Sequence, residues 1–203
     1  GGSGGGSGGG SNPASGRGGN SSAKNLNVLI CKVAERGDLQ CLLDLVAAPA
    51  QELSCVNMST AIHKLARFVK EDGCAISAGD PRLIALHGKI VAELQRQAST
   101  DTRVLPRCLS TFAWAYATMQ IADLDLRHAM RLIAELSLSR LDQFNSLELT
   151  NLVWGFAKTK VIHVPAFVNI RERLAQDLRP FSVASLSTLA WALVTSQQHE
   201  LQL

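Results

Sequence analysis

The chain of 203 residues has few of the features that mark disulfide scaffolds and membrane proteins. Its five cysteines are odd in number and form no CxxC pair, which argues against a disulfide framework and favours a reducing compartment. We expect plain thiols in or near the core at Cys31, Cys41, Cys55, Cys74 and Cys108. No apolar run approaches the ~20 residues that a membrane-spanning helix requires, so we expect a soluble protein with no membrane partner.

The sequence also lacks the motifs of nucleotide-dependent and metal-dependent enzymes. Its glycine-rich N-terminal segment precedes no strand and lacks the Lys-Ser/Thr ending of a phosphate-binding loop. Its histidines are scattered, with no second ligand at the three- or four-residue spacing of a helical metal site. These histidines are His63, His87, His128, His163 and His199. We therefore predict that the chain is not an enzyme and has no catalytic residue, metal or cofactor.

Neither sign of charge predominates, because the formal net charge is only +3. A mildly basic chain permits a polyanionic partner without arguing for one. Before Glu35 there is no acidic residue, and residues 1–19 are nearly all glycine and serine. Such a segment cannot bury apolar surface, so we predict a disordered arm over residues 1–24. Its composition fits either an organellar leader or a linker, and the missing initiator Met suggests a fragment or an incomplete gene model, or again a linker.

Tryptophan is rare, and its placement is the most informative feature of the chain. Each of the three tryptophans lies in the same short phrase: LSTFAWAYA from residue 109, LTNLVWGFA from residue 149 and LSTLAWALV from residue 186. Trp114 and Trp154 are 40 residues apart, and Trp154 and Trp191 are 37 apart. A degenerate fourth copy, MSTAIHKLA from residue 58, has His63 in the place of tryptophan. Self-similarity at a period of roughly 20–50 residues indicates a stacked repeat array.

Between the phrases, apolar residues recur at helical spacings of three and four over residues 82–97, 124–138 and 165–178. Each unit therefore predicts a helical hairpin, in which helix A contains the phrase and helix B follows a turn. We predict an all-α fold, a right-handed α-solenoid with hairpin repeats of ~38 residues. The predicted folded region is 25–203, with repeats near 54–99, 105–140 and 144–179 and a truncated one at 181–203.

The first of these repeats is longer than the others, because His63 and Trp114 are 51 residues apart. We expect the insertion at residues 71–81, which contain glycines and a proline. Residues 26–46 predict two short helices, the second with Asp38 as its N-cap.

Helix A is expected to bury a broad apolar face, because residues such as Leu109, Phe112 and Tyr116 fall on one side. Trp114 flanks that side, and we expect the tryptophans to pack as core residues between repeats; a stacking platform for a base or ligand is the alternative. The residue after each tryptophan is small and lets adjacent A helices approach closely. These small residues are Ala115, Gly155 and Ala192.

A polar stripe runs along each A helix, with the small residue at its middle. If the A helices stack side by side, the stripes form a continuous row. One polar side chain per repeat can read one base of a single-stranded RNA, and nearby cations would hold the phosphates. The alternative is that Ser and Thr merely tolerate the solvated side of a crowded helix. The candidate RNA-binding residues are Thr60, Lys64, Arg67, Arg107, Thr111, Thr118, Asn151, Lys158, Thr188 and Thr195.

The phrase resembles the A helix of octotricopeptide repeats and the related segments of FAST-kinase-like mitochondrial proteins. The best match is 149–158, preceded by Phe144 and Leu147 at helical distances, and the resemblance covers residues 56–196. His63 departs from the pattern, and Thr111 and Thr188 stand where the family often has Asn.

The resemblance implies an RNA-binding protein of the mitochondrial matrix or chloroplast stroma. Such proteins help to mature, stabilise or translate organellar transcripts, including ribosomal RNA, and often end in a RAP domain. The partners that the resemblance implies are single-stranded RNA and other proteins of a ribonucleoprotein assembly. The competing hypothesis is an α-solenoid scaffold that binds proteins without direct RNA contact.

Overall fold

The computed structural model describes residue 1 and residues 18–49, 52–77, 79–100, 105–121, 124–161 and 163–200. All regular secondary structure in these ranges is helical, which confirms the all-α prediction. The α-helices are α1 Gly18–Glu35, α2 Leu39–Ala47, α3 Cys55–Glu71, α4 Pro81–Thr100, α5 Pro106–Met119, α6 Leu126–Leu138, α7 Ser146–Lys158, α8 Val164–Gln176 and α9 Val183–Glu200. A short 3-10 helix, Leu141–Gln143, lies between α6 and α7.

The helices contact one another in two rows. The A helices, α1, α3, α5, α7 and α9, each pack on the next A helix along the chain. The B helices, α2, α4, α6 and α8, do the same in the second row. Contacts of α1 with α2, α3 with α4 and α5 with α6 join the rows. The three phrases and their degenerate copy therefore all lie in the A row.

The first hairpin, α1 with α2, was not recognised as a repeat from the sequence because it has no tryptophan phrase. It packs on the second hairpin as the later hairpins pack on one another. Asp38 caps α2 as predicted, since its Oδ1 accepts a hydrogen bond from Cys41 N at 2.9 Å. Helix α1 begins at Gly18, so the predicted arm is wrong for residues 18–24. Residues 2–17 of that arm lie outside the described residues.

The extra length of the second hairpin lies mainly in its B helix, not in the loop where the sequence placed it. Helix α4 has 20 residues, whereas α6 and α8 have 13 each. The predicted insertion segment does form a connection, because α3 ends at Glu71 and α4 begins at Pro81. Helix α4 is amphipathic, and the apolar stripe that includes Leu83, Leu86 and Leu94 is buried.

The ends of the A helices share a backbone feature. Each of the first four is followed within two residues by a residue in the left-handed region, namely Gly37, Gly73, Gln120 or Lys160, at φ angles of 74°, 63°, 48° and 56°. A left-handed residue directs the chain out of the helix and satisfies its last carbonyls. Gly37 and Gly73 adopt this conformation without Cβ strain, whereas the other two turns use residues that give no such signal in the sequence.

The predicted core face of helix A is buried in α5 and α7. Leu109, Phe112 and Tyr116 are at most 1% exposed, as are their counterparts Leu149, Leu152 and Phe156. In α9 the pattern weakens, because Ala190 is exposed at the position where Ala113 is buried in α5. Among the described residues α9 packs chiefly on α7, so much of its surface remains uncovered.

Helices α5 and α7 approach each other closely at Gly155. A Cβ atom added to Gly155 would lie 2.8 Å from the carbonyl oxygen of Ala113 and 2.9 Å from its Cβ. Ala115 and Ala192, which occupy the equivalent positions in α5 and α9, are fully buried. The close approach that the sequence predicted at these small residues is therefore observed at Gly155, between α5 and α7.

The Gly155→Ala variant should be less stable than the parent by about 1–2 kcal/mol, because overpacking against the α5 backbone outweighs the helix propensity that alanine adds. Urea denaturation followed by circular dichroism measures the difference. The matched control is Gly88→Ala in α4, where an added Cβ meets nothing within 4 Å. That control should gain up to about 1 kcal/mol. An equal gain in both variants would contradict the close contact.

A buried hydrogen bond joins the two rows at Tyr116. Its hydroxyl oxygen lies 2.9 Å from Nδ1 of His87 in α4, and the two rings meet edge to face with centroids 5.5 Å apart. Burial raises the pKa of Tyr116, which therefore stays protonated at any physiological pH. Burial also lowers the pKa of His87 below its ordinary value, so the imidazole is neutral at pH 7.

Stability should fall as the pH is lowered from 7.5 to 5.5, because the unfolded chain takes up a proton on His87 more readily than the folded chain does. The carboxylates with lowered pKa values titrate below this window. Urea midpoints at the two pH values measure the effect. His87→Gln should reduce the difference between them, while His63 and Cys108, whose pKa values are also lowered, retain part of it. A pH dependence identical to that of the parent would rule out this role for His87.

Candidate nucleic-acid interface

Three depressions follow one another along one face of the A helices, which we call the A face. The first lies between α1, α3 and α5 and contains Thr60, Lys64, Arg107 and Thr111. The second lies between α5, α7 and α9 and contains Thr118, Asn151, Lys158 and Thr188. The third is a smaller hollow between α7 and α9. The structure therefore brings eight of the ten candidate residues into two depressions of about 400 and 540 Å³.

The other two candidates lie at the margins of this surface. Thr195 lines a larger cavity of about 890 Å³ at the C-terminal ends of the A helices, together with Lys158. Arg67 lines a separate depression with Lys64, Glu71 and two further acidic residues.

The charge of Arg67 is compensated by its neighbour on α3. Its Nε donates to both carboxylate oxygens of Glu71 at 3.0 Å. This hydrogen bond raises the pKa of Arg67 and lowers the pKa of Glu71. Of the predicted cations, Arg67 is therefore the one least available to a phosphate.

The predicted polar stripes are not continuous, because their middle residues are covered by the neighbouring A helix. Ala115, Gly155 and Ala192 are buried. Several of the remaining hydroxyls already donate a hydrogen bond within their own helix. Thr60 Oγ1 donates to Val56 O at 2.9 Å, and Thr118 Oγ1 donates to Trp114 O at 2.8 Å. A hydroxyl that donates to its own helix can still accept a hydrogen bond, but it is a weak reader of base identity.

The tryptophans are less buried than the sequence predicted. Trp114 and Trp154 are partly buried, with Trp114 packed against the hydrophobic core, and Trp191 is 46% exposed. Trp114 and Trp154 line the second depression, and Trp154 and Trp191 line the third. The contact at Gly155 leaves no room for an indole between α5 and α7 at that level, in agreement with the position of Trp154 on the A face.

The rings form one series, with one member on each A helix from α3 to α9. We call His63, Trp114, Trp154 and Trp191 the aromatic row. His63 and Trp114 are in direct contact, with ring centroids 5.1 Å apart and planes inclined by 41°. Burial first, and then the charges of Lys64 and Arg67, lower the pKa of His63. His63 therefore contributes a neutral ring to the row at pH 7, consistent with its place in the degenerate phrase.

Positive charge is concentrated on the A face. Lys64 and Arg107 line the first depression, and Lys70 and Lys158 line the second. Lys158 also lines the third. Among the residues that the structure describes, no Asp or Glu lines these three depressions. The sequence did not predict Lys70 as a binding residue, because it lies one turn beyond the polar stripe of α3. Its Nζ is 5.6 Å from the centroid of the Trp114 ring.

Cys108 lines the first depression and contacts Cys55, which is 53 positions away in the sequence, so the pair gives no sequence signal. A hydrogen bond from the Cys55 thiol lowers the pKa of Cys108 to about 7, and Ser59 Oγ donates to Cys108 Sγ at 3.6 Å. The same contact, together with burial, raises the pKa of Cys55. Cys108 is therefore more acidic than the plain core thiol that the composition predicted.

Within the described ranges, no helix combines the length and the apolar character needed to cross a bilayer. No protein-family model, curated protein or solved structure matches the chain. The resemblance to octotricopeptide repeats therefore rests on the residues of the repeated phrase alone.

Proposed function

We propose that the chain is a helical-repeat RNA-binding protein whose A face holds single-stranded RNA. The observation that supports this most strongly is the composition of the three depressions: four cations, no carboxylate and three tryptophan rings. With a net charge of only +3, the rest of the protein is close to neutral, so the cations are concentrated where the rings are exposed. Phosphates need cations, and unpaired bases need aromatic faces.

The two rows of helices fit an α-solenoid, in which each hairpin contacts its neighbours and one row lines an extended surface. The left-handed residue after each of the first four A helices recurs with the same period as the hairpins. An extended strand can follow such a surface from one depression to the next. A duplex is a poorer ligand, because its bases are stacked on one another and hidden from the rings.

The cellular role is an extension of the family resemblance. We propose action in the mitochondrial matrix or chloroplast stroma, in the processing, stability or translation of organellar transcripts, ribosomal RNA included. Partner proteins in a ribonucleoprotein assembly belong to the same proposal. An α-solenoid that binds only proteins is the alternative, and salt dependence separates the two.

Replacement of Lys70, Arg107 and Lys158 by Ala should weaken binding to a mixed-sequence single-stranded oligoribonucleotide. It should also flatten the plot of log affinity against log salt by about two, because each phosphate contact on a single strand contributes about 0.7 to the slope. Fluorescence anisotropy at several salt concentrations measures both quantities.

The matched control replaces Lys32, Arg36 and Arg131, three exposed cations that line none of the depressions described above. It removes the same charge and should change the slope little. Equal slopes for both triple variants would place the RNA elsewhere. If the parent binds no RNA, or binds it without salt dependence, the protein-scaffold alternative is favoured.

A further inference from the structure

We propose that the aromatic row stacks on unpaired bases, so that the A face needs bases in its ligand but tolerates their identity. This inference rests on the proposed function and specifies how the ligand is recognised. The sequence favoured the opposite assignment, in which threonine hydroxyls read the bases and tryptophans fill the core. The structure reverses these two roles.

The accessibility of the rings supports the stacking role. A tryptophan that served only as core would be buried, yet none of the three is buried and Trp191 is 46% exposed. Each indole lines an open depression, so a planar group can reach it from solvent. Stacking between a base and an aromatic side chain does not depend on which base is present, because every base has a π-face.

The cations stand where a stacked strand would bring its phosphates. Lys70 lies over the Trp114 ring at 5.6 Å, and a base that takes its place on the ring can leave the ammonium paired with the adjoining phosphate. Lys158 lines the depressions of both Trp154 and Trp191 and can bind the phosphate between two stacked bases.

Hydrogen-bond readout is sparse on this surface. The hydroxyl protons of Thr60, Thr118 and Thr188 are donated to carbonyl oxygens of their own helices at 2.8 to 2.9 Å. An amide offers both a donor and an acceptor to a base edge, and only Asn151, Gln120 and Asn27 bring one to these depressions among the described residues. Selectivity should therefore be confined to a few positions along the strand.

The test compares oligouridylate, oligoadenylate and an abasic oligoribose phosphate of equal length, each titrated into the full chain. All three tryptophans belong to the aromatic row, so intrinsic tryptophan fluorescence reports on this surface and, through Trp191, on the adjoining cavity at the C-terminal ends of the A helices. The two base-bearing strands should quench the fluorescence and bind within about tenfold of each other. The abasic strand should bind at least about fivefold more weakly, since each stacked base contributes about 1–3 kcal/mol.

Variants assign the effect to a ring. Trp154→Leu should lose about fivefold or more in affinity for oligouridylate, while Trp154→Phe keeps a ring and should retain most of it. The control is Leu147→Ala, an exposed residue without a ring in the same depression, which should change the affinity little. Circular dichroism melting verifies that each variant is folded.

Each contrary outcome has a distinct meaning. Equal binding of abasic and base-bearing strands would overturn the stacking inference and leave RNA binding intact. A preference of more than about a hundredfold for one homopolymer would overturn the tolerance of base identity. Failure of all three polyanions to bind would overturn the proposed function itself.

Discussion

The close contact between neighbouring A helices is the constraint on which the rest of the surface depends. Between Gly155 and the backbone of Ala113, no Cβ can be accommodated. Helices this close leave no room between them for the indole of the preceding residue, in agreement with the position of Trp154 on the A face. The same spacing covers the middle of each polar stripe. One steric condition thus determines which side chains face solvent and which do not.

The distribution of polar groups over that face favours charge and stacking over hydrogen-bond readout. Arg67 is held by Glu71, and the hydroxyls of Thr60 and Thr118 are held by their own helices. Lys158 has no carboxylate beside it in any of the three depressions. A ligand with phosphates and unpaired bases fits these cations and exposed rings better than an acidic peptide does. The carboxylates of such a peptide could pair with the cations, but they offer no flat aromatic surface to stack on the rings.

The sequence predicted the hairpins well, because periodicity and capping are local. The bounds of α6 and α8, the cap at Asp38 and the small residues after the tryptophans all agree with the structure. What the sequence missed depends on tertiary neighbours. The hairpin of α1 and α2 has no tryptophan phrase. An indole at the edge of an apolar face can lie either in the core or on the surface, and the choice depends on how the neighbouring helices pack. The pairing of Arg67 with Glu71, one turn away, was open to sequence reasoning and was overlooked.

The central claim is that RNA lies on the A face, and photocrosslinking tests it most directly. A single-stranded RNA containing 4-thiouridine would be irradiated with the protein, and the modified peptides would be mapped by mass spectrometry. The account predicts adducts in peptides of α3, α5 and α7 that contain His63, Trp114 or Trp154. Adducts confined to the B helices α4, α6 and α8 would contradict it.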